Sequence, residues 1–145
     1  MRKQALRIAV TVGLFSLLCA GARAQTSNGE VKFHVPFEFN VGQQTLPAGD
    51  YFVSLAIRHA SVPMLLIKSA DGRGSGVVQV TAVGARRARR HATLVFNRYG
   101  TQYFLSQVWS PEDRVGLKVR RSRSERTVEV AGGAERATAE ITAGK

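Results

Sequence analysis

The chain has 145 residues, is 44% hydrophobic and 8% aromatic, and carries 21 Lys and Arg against 10 Asp and Glu, a formal net charge of +11. That hydrophobic content excludes a disordered polymer, and the length bounds the chain to one domain of ordinary size. With one cysteine, Cys19, an internal disulfide framework is excluded as well.

The first segment, Met1–Ala24, has the three parts of an export signal. Arg2, Lys3 and Arg7 form a basic start, Ile8–Ala20 is uncharged and largely apolar, and Ala22-Arg23-Ala24 places small residues at the cleavage positions before Gln25. As a membrane anchor the apolar run is too short: it spans 13 residues, against roughly 20 for a bilayer. A lipid attached to Cys19 is disfavoured because the preceding residue, Leu18, is bulky. Cleavage after Ala24 would remove the cysteine and four basic residues, leaving 121 residues with 17 basic and 10 acidic side chains. The expected product is a periplasmic or secreted protein without a disulfide, stable through its core alone, with no membrane-spanning segment in the mature chain.

After a polar leader, Val31–Phe39 alternates apolar and polar residues with period two, one strand that Pro36 places at an edge or bends. Val41-Gly42 and Pro47–Asp50 are turn chemistry, and Tyr51–Ile57 is a second strand. Pro63–Ser69 and Gly76–Val83 form a hairpin around Asp71-Gly72. A basic loop, Gly84–His91, precedes a second hairpin, Ala92–Arg98 and Thr101–Trp109, around Tyr99-Gly100. Its apolar runs, Leu94–Phe96 and Tyr103–Leu105, suit strands covered on both faces, or an outer face that binds something. From Arg120 the chain suits a short helix or a last strand, and the Ala-, Gly- and Thr-rich end suits a frayed tail. The expected fold is all-β: a small antiparallel β-sandwich or barrel of about six or seven strands, residues 25–119, followed by a basic segment and flexible tail, 120–145. An outer-membrane barrel is disfavoured, since most of the strands are shorter than the 9–11 residues such barrels use.

Catalytic and metal-binding patterns are sparse. His34 and Glu38 share the polar face of the first strand but stand about 13 Å apart along it. His59 and His91 lie in loops, without zinc-ligand spacing. Gly74-Ser75-Gly76 is not a nucleophile elbow, and DGRGSG lacks the ending of a phosphate-binding loop. No catalytic residue, metal ligand or cofactor is expected. A small secreted hydrolase or carbohydrate-processing enzyme using His34 and Glu38 remains the alternative to a non-enzymatic module.

Two basic clusters stand out. Arg86, Arg87, Arg89 and Arg90 occupy the loop, and Lys118, Arg120, Arg121, Arg123 and Arg126 the later segment. Arginine forks bind phosphate and carboxylate bidentately, so a shared face would attract an anionic envelope polymer or lipid headgroups. Genomic nucleic acid is excluded as a target by export. The plainer reading is a solvated, aggregation-resistant surface. Tyr99, Tyr103, Phe104 and Trp109 are contact aromatics if their hairpin has an open face, and core residues otherwise.

The blocks VPFEFNVGQQTLPAGDYFV, LVFNRYGTQYFLSQVW and Gly116–Arg126 resemble a group of small secreted bacterial proteins, common in acidobacteria. Their shared pattern is close to VPFxFxVGxxxLPAGxYxV followed by YFLxxxW. The resemblance covers about Val31–Arg126. It implies an exported, single β-rich domain and brings no activity, cofactor or catalytic residue with it.

Overall fold

A computed structural model describes residues 29–57, 62–132 and 136–144. The expected export signal Met1–Ala24, Cys19 within it, and His59 lie outside the described residues.

The alternation expected over Val31–Phe39 holds for side-chain direction but not for pairing. Pro36 ends β1 (Val31–Val35), and the chain resumes as β2 (Phe39–Val41), which turns through Gly42-Gln43 into β3 (Gln44–Leu46). Phe33, Val35 and Phe39 nevertheless all reach the core. Gly42 has φ +62° at the first position of this two-residue turn, where glycine alone is unstrained. β4 (Gly49–Ile57), β5 (Met64–Ser69) and β6 (Ser75–Gly84) follow as an antiparallel meander. β7 (Thr93–Tyr99) and β8 (Gln102–Trp109) form the second hairpin, and β9 (Val115–Val119) joins β8 to β6.

The neighbours run β1-β4-β5-β6-β9-β8-β7, all antiparallel, and the β2–β3 hairpin adds to β8 through a parallel pairing of Asn40 with Phe104. The segment around Arg120 resolves into α1 (Arg123–Gly132). The end expected to fray instead forms β10 (Ala137–Thr142), paired antiparallel along the whole of β7. Its order comes from the β7 edge and from Ala139, Ile141 and Ala143, which pack against the core. The sheet curls until its end strands, β1 and β10, come within 8 Å between Cα atoms. The expected all-β fold with a short C-terminal helix is therefore present. Its strands among the described residues number ten, because β2, β3, β9 and β10 are too short or too weakly apolar to stand out in the sequence.

Two apolar layers hold the fold. Inside the curl, Phe39 meets Tyr51 and Phe96 edge to face at 5.1 and 5.4 Å between centroids. Phe33, Val35, Leu65, Ile67, Val80 and Leu94 close the space around them, each contributing about 1.5–3 kcal/mol through burial. The outer face of β7 and β8 carries a second set, Val95, Tyr99, Phe104 and Trp109, also buried. β7 is thus covered on both sides, which accounts for its contiguous apolar run. A register shift opposite Val95 and Phe96 leaves Ser106 as the extra residue of β8. This bulge lets Phe104, Gln107 and Trp109 share the outer face.

Candidate functional site

Helix α1 begins where Ser122 caps it: its Oγ accepts the Glu125 backbone N–H at 3.1 Å. Ser122-Arg123-Ser124-Glu125 has the S-x-x-E form of a capping box, but the Glu125 side chain turns inward instead of back onto the cap. Its Oε1 accepts from Asn97 Nδ2 at 2.7 Å and lies 3.4 Å from the Tyr99 hydroxyl. Glu125 is 3% exposed. A carboxylate buried this far needs such donors, so the contact pins the first turn of α1 to the outer face of β7.

Beside Glu125 the covering layer is incomplete. A polar cavity of about 320 Å³ remains, with Asn97, Ser106, Gln107 and Lys118 on the sheet, Glu125 and Arg121 on the helix side, and Arg89, Thr138 and Glu140 around the rest. Arg89 reaches in from the basic loop. It donates two hydrogen bonds to Glu140 of β10, at 2.9 and 3.0 Å, while its guanidinium stands 5.3 Å from the Trp109 ring centre. The loop is held by backbone bonds to the β8–β9 connection, Ala85 N–H to Arg114 and Glu112 N–H to Arg89.

A second cavity, about 550 Å³, opens on the other side of Arg121. Arg120, Arg121, Arg123 and Arg126 line it together with Gln43, Gln44, Gln79, Ser75 and Ser122, and among the described residues no Asp or Glu contributes. Arg121 pairs with Glu129 at 2.8 Å, and Arg120 donates to Gln79 Oε1 at 3.3 Å. Among the described residues Arg120, Arg123 and Arg126 have no carboxylate within ion-pair distance. The N-terminal end of α1 adds its partial positive charge to the same groove.

The two basic clusters therefore meet only in part. Arg86, Arg87 and Arg90 are exposed beyond the start of β9, while Arg120–Arg126 follow its end, about 17 Å away by strand rise. Arg89 alone enters the shared region, and Glu140 neutralises it. The aromatic candidates are mostly structural. Tyr99 and Trp109 are 3% and 4% exposed, and half-buried Tyr103 stacks on Phe37 at 3.9 Å. Burial, followed by the Glu125 and Glu129 charges, pushes the Tyr99 hydroxyl above the usual phenol range.

His34 and Glu38 do not come together. His34 Nδ1 lies 2.7 Å from Asp50 Oδ1, its cross-strand partner in β4, and Lys32 holds the other carboxylate oxygen at 2.8 Å. Hydrogen bonding from Lys32, then His34, keeps the Asp50 carboxyl below the usual carboxylate range. This cluster is exposed, and neither histidine nor Glu38 lines either cavity. Among the described residues no group of three or more His, Cys, Asp and Glu could hold a metal ion, and no helix is long and apolar enough to cross a membrane.

Glu125, Asn97 and Arg136, the last also at the first cavity, escape a reading of the sequence by chemistry alone. The S-x-x-E spacing announces the cap but not the inward turn of the carboxylate. Comparison with known proteins adds no relative: no family model, no curated protein and no solved structure matches the chain.

Proposed function

We propose that this is an exported, non-enzymatic β-domain that binds polyanions through the arginine groove at the start of α1, and that it belongs with the small secreted bacterial proteins it resembles. One observation carries the reading: four arginines line a single groove to which, among the described residues, no carboxylate contributes. Side chains that only keep a surface soluble are normally interspersed with the opposite sign. Among the described residues three of these guanidinium groups have no carboxylate partner, and guanidinium forks match phosphate and carboxylate oxygens in pairs. The partner class is an anionic envelope polymer or an array of lipid headgroups.

Titration with tripolyphosphate across a salt series tests this. Affinity should fall steeply with salt, as counterion release requires for any polyanion. The combined substitution Arg120→Ala, Arg123→Ala, Arg126→Ala should weaken binding about tenfold or more with an unchanged circular dichroism spectrum. Arg86→Ala, Arg87→Ala, Arg90→Ala should retain most of it. Binding that ignores salt, or that follows the loop substitutions instead, overturns the assignment.

A further inference from the structure

We infer that the polyanion is an acidic glycan, a chain carrying carboxylates and hydroxyls, with one sugar ring entering the cavity beside Glu125; the inference rests on the polyanion reading above. Arg121 lines both cavities, so the arginine groove and the smaller recess are neighbours on either side of this residue, close enough for one extended chain to occupy both.

The recess has a different chemistry from the groove. It contains Glu125, 97% of whose surface is buried, and the hydrogen bonds described for its carboxylate all fall on Oε1. Oε2 is left to accept from whatever fills the space. Ser106 and Thr138 supply hydroxyls that donate or accept. Gln107 gives its carbonyl oxygen to Trp109 Nε1 at 2.9 Å, which leaves its NH₂ group. Lys118 has no carboxylate partner among the described residues.

Phosphate oxygens, which only accept, would be repelled by Glu125. A flat lipid surface presents no group that fills a recess of about 320 Å³, the liquid volume of about ten waters. A hydroxylated ring suits both limits: its hydroxyls donate to Glu125 and accept from Gln107, while its carboxylates lie against Lys118 and the arginine forks. Planar carboxylates also match the guanidinium geometry bidentately.

Nuclear magnetic resonance titration of the ¹⁵N-labelled chain with tetragalacturonate, tripolyphosphate and phosphatidylglycerol vesicles separates the cases. Tetragalacturonate should shift amides of both the groove, Gln79 and Arg120, and the recess, Asn97 and Gln107. Tripolyphosphate should shift the groove alone. Glu125→Gln should weaken tetragalacturonate about tenfold, the worth of one hydrogen bond to a charged group, and leave tripolyphosphate binding unchanged or tighter. Thr138→Val, on the exposed strand, makes the same discrimination at about threefold should Glu125→Gln unfold. Tetragalacturonate shifts confined to the groove, or affinity indifferent to both substitutions, overturn the glycan inference and leave the polyanion reading standing. Tighter binding to vesicles than to tetragalacturonate replaces the glycan with a lipid surface. Failure of every probe to bind removes the polyanion reading itself.

Discussion

A methyl group on Gly116 would sit 2.5 Å from Cε3 of Trp109, which explains a glycine within β9. The indole packs against that backbone, and the Arg89 guanidinium stands 5.3 Å from the centre of the same ring. Gly116→Ala must therefore displace either the strand or the ring. We expect a loss of about 1–3 kcal/mol, the range for overpacking a tight interior, measured by urea unfolding. Trp109 is the only tryptophan in the chain, so a change in its emission reports the displaced ring directly. An unchanged midpoint and spectrum would mean that the contact is not rigid. Asp50 shows the opposite kind of residue, whose partners were invisible in sequence. His34 and Glu38 share the polar side of one alternating stretch of sequence, whereas the cross-strand neighbour of His34 is Asp50, set by the β1–β4 register.

The strands differ in how strongly their own sequence specifies them. β1, β4, β5, β6, β7 and β8 are announced by alternation or β-rich runs between turn residues, and Gly72 and Gly100 adopt positive φ at the turns as expected of hairpin chemistry. β10 has only small residues and Ile141 on its inner face, too little apolar surface to read as a strand. What orders it is the unpaired edge of β7, together with the Arg89–Glu140 pair. Its stability should accordingly be conditional. Ile141→Asp removes the largest inward side chain of β10 and adds a charge beside the core. Hydrogen exchange should then lose protection over residues 137–142 while β4 and β5 keep theirs. Equal loss in all three strands would show that β10 is integral to one cooperative unit. Helix α1 is conditional in the same sense: arginine-rich and short, it is fixed by the Ser122 cap and by Glu125 reaching Asn97.

Across the molecule, the curl of the sheet brings β1 and β10 together although more than 100 residues separate them in the chain. Much of the pairing is non-local, including β8 with β2 and β6 with β9. Topologies of this kind fold slowly, because loop-closure entropy is spent before the contacts form. Refolding followed by Trp109 fluorescence should fall in the millisecond-to-second range, and a submillisecond phase carrying the whole amplitude would contradict the topology. The all-β class, the bend at Pro36, most strand positions and the presence of two arginine clusters were legible in the sequence, because alternation, turn residues and charge runs are local properties. Tertiary structure alone decided which arginines share a groove, that Arg89 is neutralised by a strand 51 positions away, and that Glu125 is buried against Asn97. Those outcomes depend on which strand edges and faces the curl brings into contact, and no window of neighbouring residues contains that information.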